Sequence, residues 1–313
     1  MPRISPSSVR ACNRVNRFLR LLLPACRTVE RSNLEFKWIS NELSSLEHLN
    51  TNRKLREAIY NACLQRFRYL PLQYILGSQP FGSLELVCRK GVLIPRWETE
   101  EWSYELAHRI RKNATNNKQK MVIWDLCSGS GCIALLLKQE LQAFKDVNIT
   151  ALDISQKAIS LIKRNMARNG IKDVSVISAD VLHNPPNPGS MIDILVCNPP
   201  YISEDSFVKE TSRSVKIHEP RLALVGDKEF YQNLIEHWLP KINSFVYEIG
   251  DINQADFVHN AIINDTELNT VWSTGVKRDA NGNPRVLYGF RKNGKNNTSF
   301  KYHELFDNFG KLN

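Results

Sequence analysis

Residues 121–135 read MVIWDLCSGSGCIAL, in which an apolar run leads through Asp125 into a glycine-containing turn and then into a second apolar run. The pattern predicts a buried strand over 121–125 and a helix from about residue 131. Glycine allows the backbone to approach a ligand closely, and the N-terminus of the following helix offers unpaired backbone N–H groups. The turn at Cys127–Gly131 is therefore a candidate nucleotide-binding loop, with a ligand-free strand-to-helix turn as the alternative.

The alternation of strand and helix continues along the chain. Strands are predicted at 148–152, 174–178, 192–197 and 244–249, helices at about 131–143, 156–168 and 228–238, and a final strand pair around 270–275 and 285–290. Such alternation predicts an α/β, Rossmann-like fold with a parallel sheet and helices on both faces, in which ligands bind at the carboxyl ends of the strands. Helical periodicity over 30–80 predicts a small preceding domain, and the apolar runs 84–88 and 92–95 predict a β-hairpin linker.

Acidic residues stand at the ends of two further predicted strands. Asp153 lies 24 residues beyond Gly129, where a carboxylate can accept hydrogen bonds from both ribose hydroxyls of a nucleoside. This arrangement fits NAD and S-adenosylmethionine equally, and Asp153 could instead cap the next helix. Asp180 precedes Val181 at the end of the third strand and could contact an adenine amino group or be an exposed loop acid.

The strand predicted at 192–197 ends in Asn198-Pro199-Pro200-Tyr201. As an isolated motif this is a stiff strand-ending turn, because proline cannot continue the ladder. A dehydrogenase needs a proton donor or hydride site at this position, which NPPY does not provide. NPPY suits methylation of a planar amide or amino nitrogen, whose delocalised lone pair is a poor nucleophile.

The side-chain carbonyl of Asn198 and a backbone carbonyl fixed by the prolines, that of Pro199, can accept both N–H hydrogens of such a nitrogen. They would turn its lone pair toward an electrophilic methyl group, by orientation and preorganised electrostatics rather than by a strong base. The Tyr201 ring can pack flat against the planar group. Together with the glycine loop and Asp153, NPPY therefore favours a methyltransferase.

The formal net charge of +10 is concentrated at the N-terminus. Residues 1–29 contain six arginines and no Asp, Glu or Lys, together with serines and an amphipathic apolar face. This composition is typical of a mitochondrial transit peptide, with an ordinary first helix of the folded protein as the alternative. The seven scattered cysteines include no C-x-x-C pair, which is typical of reduced thiols rather than of a disulfide framework or zinc site. No apolar run approaches the length of a membrane span.

Eight motifs between Leu70 and Gly289 together resemble the N5-glutamine methyltransferases of peptide chain release factors, of the bacterial and organellar type. They are PLQYILG at 71–77, GVLIPRWETE at 91–100, DLCSGSGCIAL at 125–135, LDIS at 152–155, CNPPYIS at 197–203, HEPRLAL at 218–224, YEIG at 247–250 and NPRVLYG at 283–289. NPPY alone is shared with adenine methyltransferases. Given its N-terminus, the chain is most similar to the fungal mitochondrial type.

The resemblance implies a Rossmann-like class I methyltransferase that uses S-adenosylmethionine and modifies the glutamine of a Gly-Gly-Gln loop. It implies catalytic and substrate-binding roles for Asn198, Pro199, Pro200 and Tyr201. It implies cofactor contacts from Asp125, Cys127, Ser128, Gly129, Ser130, Gly131, Asp153, Asp180, Val181 and Asn198. Thr99 and Glu100 are expected to border the site.

The implied division of the chain is a presequence over 1–28, with an overlap with the first helix left open, a helical substrate-binding domain over 29–80, a hairpin linker over 81–100 and a methyltransferase domain over 101–313. The expected partner is a mitochondrial class I release factor in the matrix, with no membrane and no direct nucleic-acid substrate. No metal is expected, because the histidines and cysteines are dispersed.

Three positions depart from the family pattern. Cys127 replaces a common glycine and is expected to have ordinary L-residue dihedrals, Trp97 replaces a proline, and Val181 stands where some members have an aromatic residue. The main rival function is N6-adenine methylation of RNA or DNA, which needs a basic groove and an extruded or single-stranded base. An NAD-dependent enzyme and a non-catalytic binding module are two further candidate functions.

Overall fold

The computed structural model describes residues 4–113, 120–144, 146–292 and 301–312. They form two compact units. The first contains the chain up to Gln79 together with Cys88–Lys90 and Thr211–Glu219, and the second contains Pro80–Val87, Gly91–Glu210 and the chain from Pro220 onward. Within the described residues, no helix has both the length and the apolar character needed to cross a membrane.

The α-helices are numbered in chain order: α1 Pro6–Val15, α2 Leu19–Cys26, α3 Val29–Ser44, α4 Asn52–Phe67, α5 Leu72–Leu76, α6 Trp97–Asn113, α7 Cys132–Glu140, α8 Gln156–Arg168, α9 Glu204–Lys209, α10 Arg213–His218, α11 Glu229–Asn233, α12 Ile252–Asn264, α13 Thr266–Val271 and α14 Tyr302–Leu305. The strands are β1 Ser78–Phe81, β2 Leu84–Val87, β3 Met121–Leu126, β4 Val147–Asp153, β5 Val174–Ser178, β6 Ile192–Cys197, β7 Ile242–Glu248, β8 Trp272–Arg278, β9 Pro284–Arg291 and β10 Lys311–Leu312. Single turns of other helix types lie at Glu47–Leu49, Arg221–Ala223, Leu234–Trp238 and Leu239–Lys241.

The first unit is helical and is built mainly from α1–α5. Its core consists of Cys12, Leu19, Leu22, Leu23, Cys26, Ile39, Ile59, Ala62, Cys63 and Leu72. A bidentate pair between Glu35 and Arg66, at 2.7 and 3.2 Å, joins α3 to α4 with little exposure of either side chain. The arginine-rich N-terminal segment therefore supplies two helices and part of this core.

Residues 211–219 belong to the first unit although they lie within the span predicted as the methyltransferase domain. Ser214 Oγ donates to the carbonyl of Tyr69 at 2.7 Å, and the Arg213 guanidinium lies 4.8 Å from the centre of the Tyr69 ring. The roles assigned to the segments 1–28, 29–80, 81–100 and 101–313 stay predictions.

The second unit contains an eight-stranded sheet in the order β10-β8-β9-β7-β6-β3-β4-β5. Strands β3 to β7 are parallel to their neighbours within this group, as predicted. Alternate residues of β6 enter two different cores: Ile194 and Val196 pack with α6 and α7, whereas Leu195 and Cys197 pack with α12 and Leu234–Trp238. Burial on both faces confirms the predicted α/β architecture.

One local prediction, the position of the linker hairpin, differs from the structure. The hairpin is formed by β1 and β2, with its turn at Gly82 and Ser83, and residues 92–95 are loop rather than strand. The predicted final strand pair is confirmed as β8 and β9, which are antiparallel to each other and join the parallel sheet through β7. The solvated segment predicted at 291–298 falls outside the described residues from residue 293 onward.

Candidate active site

A cavity of about 200 Å³ opens at the carboxyl ends of β3, β4 and β6, within the second unit. Its wall contains residues that follow β3, β4, β5 and β6, together with residues from the segment before α6. The lining includes Val92, Ile94, Arg96, Thr99, Cys127, Ser128, Gly129, Ser130, Asp153, Ile154, Asp180, Val181, Leu182, Asn198, Pro200, Leu222 and Ala223. Of the predicted site residues, Asp125, Gly131, Pro199 and Tyr201 lie outside this lining.

The glycine loop is held in shape by its second residue, Ser128. The backbone N–H of Ser128 donates to the carbonyl of Leu152 at 2.9 Å, and its hydroxyl donates to the carbonyl of Asp125 at 2.6 Å while accepting from the Leu152 N–H at 3.0 Å. Gly129 and Gly131 have φ of +57° and +82°, which glycine adopts without strain. The ends of β3 and β4 are thereby joined beneath the cavity.

The expectation that Cys127 has ordinary L-residue dihedrals is wrong. Its φ is +56°, in the left-handed region that favours glycine, the residue common at this position in the family that the motifs resemble. A non-glycine residue in this region is strained by about 1 kcal/mol or more. The loop therefore keeps its geometry despite the substitution, because the hydrogen bonds of Ser128 and Gly129 determine it.

Asp153 connects the glycine loop to the start of α8. Its Oδ2 accepts from the Gly129 N–H and its Oδ1 from the Ser155 N–H, both at 2.8 Å. Ser155, not Asp153, is the N-cap residue of α8. Burial raises the pKa of Asp153, and the backbone N–H groups of Ser155, Gly129 and Ile154 oppose that rise. Each carboxylate oxygen has further lone pairs with which it can accept hydrogen bonds from a ligand.

Asp125 is a completely buried carboxylate at the end of β3. Its Oδ2 accepts from the Ala134 N–H at 3.2 Å, whereas its Oδ1 has no hydrogen-bond partner among the described residues. Burial raises its pKa to about 7. A buried carboxylate with one unpaired oxygen beneath a glycine loop suits a ligand that brings a positive charge.

Asp180 and Val181 form one side of the cavity. The carboxylate of Asp180 accepts from the N–H groups of Leu182 and His183, at 3.0 and 3.1 Å, and contacts the His183 ring. These bonds lower the pKa of Asp180. Asp180 is half-buried, binds the following turn and lines the cavity, and its contact with an adenine amino group stays a prediction. Val181 is buried in the lining.

The NPPY corner is fixed by backbone hydrogen bonds on its far side. The Ile202 N–H donates to the Leu224 carbonyl at 2.9 Å, and the Ile202 carbonyl accepts from the Gly226 N–H at 3.0 Å. The Gln254 side chain donates to the Tyr201 carbonyl at 2.9 Å. The corner is thus tied to the loop after Arg221–Ala223 and to α12, which leaves Asn198 and Pro200 at the cavity wall.

The Asn198 side chain belongs to a buried hydrogen-bond network. Its Nδ2 donates to Thr99 Oγ1 at 3.0 Å, and Thr99 donates to Glu248 Oε2 at 2.6 Å. Glu248 also accepts from Trp102 Nε1 and the Tyr201 hydroxyl, both at 3.0 Å. The Tyr201 hydroxyl thus points at Glu248, so its predicted stacking on a substrate amide stays a prediction.

The two residues expected to border the site from the linker differ in position. Thr99 lies in α6 and lines the cavity. Glu100, its neighbour on the helix, turns the other way and accepts from the Gly82 N–H at 2.8 Å, so it holds the hairpin turn. Neighbouring helix residues point about 100° apart, which explains the separation.

Sequence reasoning missed Glu248 and Gly226 as site residues. Glu248 ends β7, and an acidic residue closing a buried apolar strand was the signal that could have identified it. Gly226 touches the corner: a Cβ added there would lie 2.3 Å from the Pro200 carbonyl oxygen. No local pattern in the sequence indicates such a contact.

Gly226→Ala is expected to displace the Pro200 carbonyl, because the added carbon would overlap backbone rather than a flexible side chain. Overpacking of this kind costs about 1–3 kcal/mol of stability. We expect kcat to fall at least about 10-fold, because small misplacements of orienting groups reduce rates strongly. Steady-state kinetics beside a denaturation curve measures both effects. A variant with wild-type kcat would show that the corner tolerates displacement.

The comparisons with known proteins agree with this geometry. The family described as "Methyltransferase small domain" matches residues 105–223. In solved structures, the N-terminal domain of human METTL16 in complex with SAH has the same fold, with a TM-score of 0.50, 14% identity and coverage of 82% of this chain and 93% of that one. The neighbour shows the fold, and the family match indicates the methyltransferase class.

Two curated relatives identify the family. The "Mitochondrial MRF1 N(5)-glutamine methyltransferase MTQ1" of Saccharomyces cerevisiae is 43% identical, covering 100% of this chain and 95% of the relative. The "Release factor glutamine methyltransferase" of Bacillus subtilis is 33% identical, covering 70% of this chain and 74% of the relative. The chain belongs to the release factor N5-glutamine methyltransferase family. The family membership predicted from the motifs is confirmed. The relatives do not support the two other hypotheses, an NAD-dependent enzyme and a non-catalytic binding module.

Proposed function

We propose that this chain transfers the methyl group of S-adenosylmethionine to the side-chain amide nitrogen of the glutamine in the Gly-Gly-Gln loop of a mitochondrial class I release factor. The observation that carries the proposal is that Asn198 and Pro200 line the same cavity as Gly129 and Asp153. An amide-binding corner and a nucleoside-binding loop thus meet in one space, as methyl transfer between two bound molecules requires.

The cavity fits S-adenosylmethionine on two counts: the glycine loop allows close approach, and Asp153 offers carboxylate oxygens for ribose hydroxyls. Asp125 lies outside the lining, and its buried carboxylate would act on a positively charged ligand at a distance, through its charge. Apolar side chains for the adenine are supplied by Ile154, Val181 and Leu182. Bound there, the cofactor would supply an electrophilic methyl group on a sulfonium. In this proposal Ser130 contributes a backbone group to the ligand, Ser128 and Gly131 keep the loop in shape, and Cys127 contributes the turn.

The protein's own part in the reaction is orientation. The side-chain carbonyl of Asn198 and the carbonyl of Pro199 accept the two N–H hydrogens of the glutamine amide, and the prolines keep these acceptors in place. The nitrogen lone pair is then held toward the methyl group instead of remaining conjugated with its carbonyl. Fixed acceptors of this kind stabilise the transition state without reorganisation.

The relatives and the N-terminus support the proposed partner and location. The relative in Saccharomyces cerevisiae is named a mitochondrial enzyme, and its name specifies MRF1. Residues 1–29 carry six of the formal positive charges and no acid. We therefore place the enzyme in the mitochondrial matrix, with a release factor as its substrate and residues 29–80 as the helical domain that contacts it.

N6-adenine methylation of RNA or DNA is the rival function, since NPPY is shared with adenine methyltransferases. The two are separated by incubating the protein with isotopically labelled S-adenosylmethionine, the release factor and total mitochondrial RNA. We expect label in the protein fraction and none above background in RNA. Label in the RNA alone would overturn the proposal.

Asp153→Ala is expected to weaken S-adenosylmethionine binding by about 1–3 kcal/mol, because two ribose hydroxyls lose their acceptor. Asp153→Asn, which keeps one oxygen, should lose less. Isothermal titration calorimetry measures both, and a melting curve of the ligand-free variants separates loss of the ligand contact from loss of the Gly129 and Ser155 bonds. Wild-type affinity in Asp153→Ala would refute the assignment.

A further inference from the structure

Glu248 is a fully buried carboxylate that acts only as an acceptor when ionised. Three donors converge on it, two from α6 and one from the NPPY corner: the Thr99 hydroxyl at 2.6 Å, the Trp102 ring N–H at 3.0 Å and the Tyr201 hydroxyl at 3.0 Å. The hydrogen of the Thr99 hydroxyl is therefore committed to Glu248.

This commitment determines the direction of the next hydrogen bond. A hydroxyl has one hydrogen, so Thr99 Oγ1 can only accept from Asn198. The Asn198 atom that faces Thr99 must then be the nitrogen, which is the arrangement observed at 3.0 Å. The carbonyl oxygen is left at the other end of the side-chain amide.

The direction matters because the two ends of an asparagine amide have nearly the same shape and opposite hydrogen-bonding roles. Asn198 lines the cavity. We call the two acceptors for the substrate amide, the Asn198 side-chain carbonyl and the Pro199 carbonyl, the amide clamp. If the Asn198 amide turned over, its NH₂ group would meet the NH₂ group of the substrate. The amide clamp would then lose one acceptor, and the two NH₂ groups would repel each other.

We propose that Glu248, acting through Thr99, sets which end of the Asn198 amide faces the methyl acceptor. Glu248 and Thr99 are then positioning residues, and their role rests on the proposed amide clamp. Trp102 has a supporting part: its ring N–H can only donate, so the group that it shares with Thr99 must be an acceptor.

Thr99→Val removes the hydroxyl with little change in shape. We expect kcat to fall about 10-fold, the scale of one lost orienting hydrogen bond, with little change in cofactor affinity. Thr99→Ser restores the hydroxyl and should recover most of the loss. Ser103→Ala is the matched control, since Ser103 is a buried residue on the same helix whose hydroxyl donates to the Glu100 carbonyl.

The decisive comparison repeats Thr99→Val in an Asn198→Asp background. A carboxylate offers an acceptor at both ends, so its orientation needs no control, and Thr99→Val should then leave kcat unchanged or raise it. A packing role for Thr99 would lower kcat equally in both backgrounds and would overturn the proposal.

Glu248→Gln should lower kcat less than Thr99→Val does, because the Trp102 ring N–H keeps the glutamine carbonyl on the side of Thr99. A larger loss of kcat in Glu248→Gln than in Thr99→Val would mean that the negative charge of Glu248 matters, and not the direction of the hydrogen bonds.

A measurement without substrate separates this inference from the proposed function. In protein labelled with ¹⁵N at asparagine, the Asn198 side-chain NH₂ should exchange its hydrogens slowly, and Thr99→Val should speed that exchange. Exchange at the same rate in both proteins would overturn the inference even if release factor is methylated. Slow exchange with no methylation would retain the bond direction and reject the proposed substrate.

Discussion

Asn198→Ala is expected to lower kcat for methyl transfer by about 100-fold or more, the scale seen when one preorganised hydrogen-bond partner is removed. The effect should fall on kcat rather than on cofactor affinity, because the orientation of the lone pair matters as it turns toward the methyl group. The network behind the residue supports a specific role: Asn198 is held by Thr99, which is bound in turn to Glu248 across 149 positions of sequence. A strand-ending turn requires no such network.

Asn198→Asp is the matched variant. It keeps an acceptor and should retain more activity than Asn198→Ala, although its carboxylate meets a Thr99 oxygen whose hydrogen is committed to Glu248. Single-turnover rates with saturating cofactor, together with calorimetric affinities, separate the two effects. Full activity in Asn198→Ala would show that NPPY is only a turn.

Deletion of residues 1–28 is expected to unfold the helical unit. Five of its buried core residues would be lost: Cys12, Leu19, Leu22, Leu23 and Cys26. Burial of a leucine-sized side chain contributes about 1.5–3 kcal/mol, so the sum is comparable to the whole stability of an ordinary domain. Far-UV circular dichroism and limited proteolysis should show loss of helix and cleavage within 29–76.

This prediction bears on the targeting role assigned to the same segment. Arg10→Gln with Arg14→Gln is the control, since both arginines are exposed on α1 and their change leaves the core intact. The double variant should fold normally and, if the segment directs import, enter mitochondria less efficiently as a fluorescent fusion. A truncated chain as stable as the full one would instead identify residues 1–28 as a removable presequence.

The site residues at the strand ends could be predicted from the sequence, because each of them directly follows a short apolar run. Asp153 and Asn198 follow apolar runs directly, and parallel strands bring such residues to one edge of the sheet. Residues 92–95 were misassigned because an apolar run of this length has no distinctive period. Val92 is buried against α8 and, with Ile94, lines the cavity as loop.

Other features depend on contacts between distant positions. The left-handed φ of Cys127 results from hydrogen bonds of neighbouring loop residues to β4, which favour a conformation that cysteine alone does not. The buried aromatic residues Tyr302, Phe306 and Phe309 pack on the sheet, although the sequence near them is polar and shows no periodicity. Glu248 acquires its role only when α6 and β6 bring Thr99 and Asn198 together.

The central claim is that the acceptor is a glutamine side-chain amide, and tandem mass spectrometry of the release factor tests it most directly. After incubation with the protein and S-adenosylmethionine, the peptide that contains the Gly-Gly-Gln loop should gain one methyl group. The fragment ions should place that group on the glutamine side chain, and a release factor with Gln→Ala in the loop should gain none. A methyl group on any other residue, or on the Gln→Ala control, would contradict this claim.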